Sequence, residues 1–168
     1  MKRITLLLAL LVAGWGNVQA APGTGDSAPA SRILLIDSSS MPVAAGKATL
    51  IIGPLQRTNG VYTGDYRLKV FPYFLKNEKG RLAIVVSDES LAKASQGKVV
   101  SITGTATTNG KNGKCRPIGA IATPVDRDHG TLKLWFTAGN RKMIFEPTYH
   151  FAGIETALVL AEATEIKP

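Results

Sequence analysis

The sequence has little of the chemistry on which most enzymes depend. Its 168 residues include one cysteine, Cys115, and two histidines, His129 and His150. A single thiol allows no internal disulfide, so stability has to come from packing. Nucleophilic catalysis needs a base within hydrogen-bond reach of the nucleophile, and no G-x-S-x-G motif surrounds any serine. We predict no enzymatic activity, no catalytic residue and no cofactor.

Three local features come nearest to a reactive or ligating site. Lys114 and Arg116 would favour a thiolate at Cys115, but the small apolar residues that follow favour a partly buried, inert thiol. The loop of Asp126, Asp128 and His129 offers metal ligands, yet no second cluster with ligand spacing accompanies it. Residues 109–114 are glycine-rich and basic but lack the following helix of a phosphate-binding loop. We predict no metal site.

Long apolar runs are also scarce. The run Ile4 to Val12 is too short to cross a bilayer, which takes roughly 20 residues. Lys2 and Arg3 precede it and Val18-Gln19-Ala20 follows it, the order typical of a cleaved signal peptide. A retained anchor is the alternative, but two glycines and an asparagine interrupt the run. We predict a signal peptide at residues 1–20, cleaved after residue 20 or 21, and a periplasmic or secreted chain without an integral membrane span.

Composition predicts one domain after the leader. Residues 21–31 are small and rich in proline and glycine, which predicts a disordered linker. Residues 32–168 are enough for a single domain with a core. The chain carries 20 basic and 12 acidic residues. An excess of basic residues favours anionic partners such as nucleic acid, acidic glycans, lipopolysaccharide or a membrane surface, although positive charge also serves solubility alone.

Alternating polarity dominates the rest of the chain. The stretch Lys98 to Pro124 contains two alternating runs separated by Asn109-Gly110 and Asn112-Gly113, which predicts a hairpin. Similar runs begin at Lys47, Asp65, Arg81 and Thr131. The segment Ile33–Ile36 is either an edge strand or a docking segment, residues 38–46 have loop composition, and residues 154–163 are either strand or helix.

One segment has helical signals instead. Ser87 is a candidate N-cap, Asp88 and Glu89 would occupy the first turn, and Gly97 would end the helix. The chain is therefore predicted to be all-β with one short helix, as a small antiparallel, OB-like barrel with an appended β-hairpin from Thr131. Turn glycines that recur at a spacing near 50 residues offer a second interpretation, a duplicated three-stranded unit.

Two strands carry aromatic and cationic side chains on the face opposite their apolar residues. Aromatic rings between cations are used to stack flat groups and neutralise phosphate or sulfate. The predicted ligand-binding residues are Arg67, Lys69, Tyr73, Lys133 and Trp135. The alternative is packing of these aromatic rings under another segment.

The sequence thus predicts an exported β-barrel that binds an anionic or polymeric ligand, such as an acidic glycan, lipopolysaccharide or nucleic acid. A structural or assembly protein of the cell envelope, acting through protein–protein contacts at its strand edges with Pro72 and Pro147 as edge guards, is the alternative. The sequence does not define an oligomeric state.

Overall fold

The computed structural model describes residues 32–44, 46–110, 113–138 and 141–153. The predicted leader, linker and C-terminal segment lie outside the described residues. The described chain is almost entirely antiparallel β-structure. Its elements are β1 (Ile33–Ile36), β2 (Ser39–Val43), β3 (Gly46–Ile52), β4 (Gln56–Thr58), β5 (Val61–Phe71), a 3-10 turn (Phe74–Lys76), β6 (Glu78–Val85), α1 (Asp88–Ser95), β7 (Val100–Thr108), β8 (Cys115–Pro124), β9 (His129–Ala138), β10 (Arg141–Phe145) and β11 (Thr148–Ala152).

All of these strands belong to one curled sheet. Its order is β1-β11-β9-β8-β7-β6-β5-β3-β2, with β10 also paired to β9 and β4 to β5. The sheet returns on itself at one end, because Leu34 of β1 and Leu55, just before β4, exchange backbone hydrogen bonds of 2.9 Å. At the other end β2 and β10 form no ladder with each other. The fold is therefore an antiparallel barrel whose wall is open between β2 and β10.

The structure confirms the predicted all-β, barrel-like fold with one helix, and it refines the strand order. An OB fold is a Greek-key barrel, whereas here consecutive strands pair in sequence order, as a meander. The pairing β6–β7 continues the sheet directly across the helix. The second interpretation, a duplicated three-stranded unit, stays a prediction. The predicted appended hairpin is β9 with β10, and it is part of the barrel wall.

Alternation along each strand separates the core from the outer wall. On β5, Tyr66, Leu68 and Val70 are buried, whereas Arg67 and Lys69 between them are exposed. The same alternation holds on β9, as the sequence predicts. The largest of the almost completely buried side chains in the described core are Tyr62, Phe145, Leu55 and Leu134.

Helix α1 closes one end of the barrel. Ser87 caps it by accepting a hydrogen bond from the Ser90 backbone N–H at 3.1 Å, and Gly97 ends it with φ +75°, as predicted. Leu91 is buried against the barrel end. Arg57 ties the helix start to the wall, because its guanidinium donates to Asp88 at 2.6 Å. The opposite end, where β2 and β5 finish and β6 begins, has no such cover among the described residues; we call it the mouth.

Candidate ligand-binding site at the barrel mouth

The five predicted ligand-binding residues fall into two separate places. Arg67 and Lys69 lie on the outer wall of β5, and Tyr73 lies in the loop that follows. Lys133 and Trp135 lie on the outer wall of β9. Strands β6, β7 and β8 stand between β5 and β9, which at about 4.8 Å per strand amounts to about 19 Å along the wall. The structure therefore does not bring these five residues into one binding face.

Arg67 and Lys69 belong to a larger basic patch on the outer wall of β3, β5 and β6. Arg67 lies directly opposite Lys79, and Arg81 lies opposite Asp65. Like charges facing each other across two strands are unfavourable. We call this surface the basic wall; its cations are Lys47, Arg67, Lys69, Lys79 and Arg81, all exposed. Sequence reasoning missed Lys47, Lys79 and Arg81, although they occupy outward positions of alternating runs.

Trp135 is half-buried on the other side of the barrel. Its indole lies over Gly119, its cross-strand partner on β8. The Lys142 Nζ lies 4.9 Å from the ring centroid, and Lys133 forms an ion pair of 3.4 Å with Glu146. Trp135 thus packs onto the wall, whereas Phe71 and Tyr73 are 58% and 46% exposed.

Replacing Gly119 by alanine is expected to displace the Trp135 indole. A Cβ at residue 119 would lie 2.5 Å from Trp135 Cε2, so we expect a loss of about 1 to 3 kcal/mol in unfolding free energy from overpacking. We also expect stronger acrylamide quenching of Trp135, measured in a Trp15→Phe background. Gly153→Ala is the matched control, because a Cβ there meets nothing within 4 Å. Unchanged quenching in Gly119→Ala would contradict this packing.

The mouth of the barrel contains a cup of about 500 Å³. Barrel mouths are common ligand sites, and pockets of about 300–1,000 Å³ hold small molecules. Four apolar side chains from three strands line its wall: Val43, Leu68, Val70 and Met143. Four cations and one carboxylate also belong to the lining: Lys76, Lys114, Arg116, Arg141 and Glu78. Positive charge around an apolar wall makes this cup suited to a ligand that is both acidic and apolar.

Arg116 and Glu78 form the most constrained polar pair of the cup. The Arg116 guanidinium donates two hydrogen bonds to the Glu78 carboxylate, of 2.5 and 2.7 Å. The Arg116 side chain is only 14% exposed. The hydrogen bond from Arg116 to Glu78 raises the pKa of the guanidinium, which therefore stays charged. Glu78 neutralises this cation, whereas Lys76, Lys114 and Arg141 form no ion pair within the described parts of the chain.

Tyr66 lies beneath the Arg116–Glu78 pair with an unpaired hydroxyl. Its side chain is 4% exposed, and its oxygen has no hydrogen-bond partner in the described structure. Burial raises the pKa of Tyr66, and the nearby Glu78 carboxylate raises it further, so the phenol is protonated at neutral pH. Arg116 lines both the cup and a hollow of about 10 Å³ beside Tyr66. An unsatisfied donor therefore lies in the core beside Arg116, outside the lining of the cup itself.

Two of the three local features singled out in the sequence, Cys115 and the Asp126 loop, form no site of this kind; the third, residues 109–114, lies partly outside the described residues. Cys115 is an exposed free thiol, which corrects the expectation of partial burial: the side chain faces outward on β8. Asp126 accepts backbone hydrogen bonds of 2.8 Å from Asp128 and His129, which lower its pKa. These hydrogen bonds stabilise the turn between β8 and β9, which is a common role of aspartate in turns. Over the residues that can be described, no three His, Cys, Asp or Glu side chains group as metal ligands.

Comparisons with known proteins give no relative for this chain. No protein-family model, no curated protein and no solved structure matches it. Within the described ranges, no helix has the length and apolar character needed to cross a membrane. The protein is an antiparallel β-barrel with a basic, partly apolar mouth.

Proposed function

We propose that the protein is a non-enzymatic binding protein for an anionic amphiphile, that is, a ligand with an acidic group and an apolar part. The cup at the mouth is the observation that carries this proposal. Its wall is apolar at Val43, Leu68 and Met143. Its rim holds three cations, Lys76, Lys114 and Arg141, that have no carboxylate partner among the described residues. The apolar part gains free energy by leaving water, and the acidic group is attracted by the rim.

The packed interior limits how deeply such a ligand enters. Phe136 and Phe145 stack below the cup with ring centroids 5.8 Å apart, and Leu134 is 1% exposed. The hollow beside Tyr66 is far smaller than an alkyl chain. The apolar part of the ligand is therefore short, or only its end enters the barrel. Its acidic group remains near Lys114 and Arg141.

This geometry favours one class among the acidic partners that the charge suggests. Nucleic acids and acidic glycans have no alkyl part to fill the wall of the cup. Acyl-bearing anions, of which lipopolysaccharide is one kind, have both parts. With the leader proposed for residues 1–20, binding would occur in the periplasm or outside the cell.

Calorimetric titration of the full chain with dodecanoate tests the proposal. We expect saturable binding of dodecanoate and little binding of acetate, which lacks the apolar part, or of dodecanol, which lacks the charge. Arg141→Glu should weaken dodecanoate binding about 10-fold, because a charge-assisted contact contributes about 1.5 kcal/mol and each 1.4 kcal/mol is a factor of ten.

Lys133→Glu is the matched control, since it reverses the same charge on the far outer wall. It should leave dodecanoate binding unchanged. The proposal fails if dodecanoate does not bind, or if Lys133→Glu weakens binding as much as Arg141→Glu does.

An assembly protein of the envelope remains the second hypothesis. Its support is that β2 and β10 each pair along one edge only, with β3 and β9, and free edges can accept a partner strand. Recovery of a stoichiometric protein partner, together with no affinity for dodecanoate, would favour it.

A further inference from the structure

A loop with exposed apolar side chains stands at the rim of the cup. We call residues 71–76 the mouth loop; they comprise the last residue of β5 and most of the segment that leads to β6. Four of their side chains are exposed, Phe71 at 58%, Tyr73 at 46%, Phe74 at 65% and Leu75 completely. So many exposed apolar groups in one short segment mark a surface that contacts something apolar.

The mouth loop is held in this arrangement by its own hydrogen bonds. The Lys76 N–H donates to the Tyr73 carbonyl at 2.9 Å, and the Asn77 N–H donates to the Phe74 carbonyl at 3.0 Å. The Asn77 side-chain oxygen also accepts from the Val70 N–H at 2.7 Å. Phe71 and Phe74 pack edge to face with ring centroids 5.8 Å apart. The apolar side chains are therefore presented outward by an ordered turn.

Cations surround the mouth loop on the side of the basic wall. Lys47 is the cross-strand partner of Phe71, Lys69 precedes it by two residues, and Lys76 has its Nζ 5.4 Å from the Tyr73 ring centroid. Lys79 follows at the start of β6, opposite Arg67. Within the described residues none of these lysines has a carboxylate partner. An external anion would relieve their mutual repulsion.

We infer that the mouth loop inserts into the surface of an anionic lipid bilayer. Aromatic and leucine side chains enter the boundary between headgroups and acyl chains, while lysines at the base of the loop reach the lipid phosphates. Each basic residue near such a surface adds attraction to anionic lipids. A projecting apolar tip with cations around its base matches this partner in shape and in charge.

Docking through the mouth loop would also orient the cup. Tyr73, Leu75 and Lys76 line the cup as well as forming the loop, so a docked barrel would turn its mouth towards the lipid. This inference goes beyond the proposed function, and the two fail separately. Dodecanoate titration without vesicles reports on the cup, whereas the vesicle measurement below reports on the loop.

The test is a site-specific fluorescence measurement, because the apolar run at residues 4–12 could itself bind bilayers. Leu75→Trp is introduced into the full chain with Trp15→Phe and Trp135→Phe, so that one indole reports. On adding vesicles of phosphatidylcholine and phosphatidylglycerol we expect a blue shift of its emission and quenching by acyl-chain-brominated lipid. Vesicles of phosphatidylcholine alone should give a much smaller change.

Val125→Trp in the same background is the matched control. Val125 is 68% exposed in the turn between β8 and β9, at the helix-covered end, and its indole should not respond to either vesicle. Adding Lys69→Glu and Lys79→Glu to the Leu75→Trp protein should weaken apparent binding by at least about 30-fold, since each lysine contributes about 1 kcal/mol and the two new carboxylates add repulsion.

Two results would overturn the inference. One is an indole at residue 75 that neither shifts nor is quenched on anionic vesicles at low salt. The other is an equal response from the Val125→Trp control, which would mean that the barrel binds through no particular surface. Capture of a protein partner by the mouth loop, with no vesicle response, would assign the loop to protein recognition instead.

Discussion

Phe145→Ala should lower the free energy of unfolding by about 3 to 5 kcal/mol, the usual cost of removing a buried aromatic ring. Phe145 is 1% exposed on β10 and stacks on Phe136 at an interplanar angle of 17°. It also pairs in register with Leu134. Loss of the ring opens a cavity that the surrounding packed side chains collapse only partly to fill. Urea unfolding followed by circular dichroism measures the change.

Ile144→Ala is the control for this prediction. Ile144 is the preceding residue on β10 but points outward, with 37% of its surface exposed. Its truncation should cost less than about 1 kcal/mol. Equal losses in the two variants would mean that β10 does not face the core with Phe145.

Glu78→Ala should destabilise the barrel by about 2 to 3 kcal/mol, near the lower end for breaking a buried ion pair. The variant leaves the Arg116 guanidinium without the carboxylate that accepts its two hydrogen bonds, in a place where its side chain is 14% exposed. The partial exposure of Glu78, 27%, keeps the cost below that of a fully buried pair. Equilibrium unfolding in urea provides the value.

Combining Glu78→Leu with Arg116→Met should recover most of that loss, because an apolar pair of similar volume leaves no charge unpaired. Glu89→Ala serves as a surface control with little expected loss, since the Glu89–Lys93 ion pair of 2.7 Å is largely exposed and water and salt screen such pairs. If the double variant were less stable than Glu78→Ala alone, the ion pair itself would be stabilising the mouth.

The inward and outward faces of the strands could be predicted from the sequence, because a strand that is buried on one side alternates apolar and polar residues. Tyr66, Leu68 and Val70 were assigned to the core correctly, and Arg67 and Lys69 to the outer wall. The prediction of a loop at residues 38–46 was wrong, because Ser39–Val43 forms β2. The two serines and the proline of β2 are typical of a loop, and its side chains are at most half-buried, so no apolar alternation indicates a strand. Its backbone hydrogen bonds with β3 hold it in the sheet.

Strand order could not be predicted, because alternation says which face a residue takes and not which strand lies beside it. A short helix between β6 and β7 is compatible with a Greek-key crossover as well as with direct pairing. Here α1 lies across the barrel end, with Leu91 buried there, and so leaves β6 free to pair with β7.

The cup was missed for a related reason. Arg116 and Met143 are 27 positions apart in the chain, and only closure of the sheet places them in one cavity. A signal was nevertheless present. In an antiparallel meander every second turn lies at the same end, and Lys76, Lys114 and Arg141 each flank one of three such alternate turns. Cations at alternate turns therefore predict a charged rim.

The seam between β1 and β11 joins segments that are more than a hundred residues apart, with Ile33 opposite Ala152 and Ile36 opposite Tyr149. During synthesis this seam cannot form until β11 has left the ribosome, and the ladder between β9 and β11 waits for the same strand. Until then Leu34 and Ile36 lack β11, their ladder partner. Nascent chains that stop short of β11 are consequently expected to be open at this seam and susceptible to proteases.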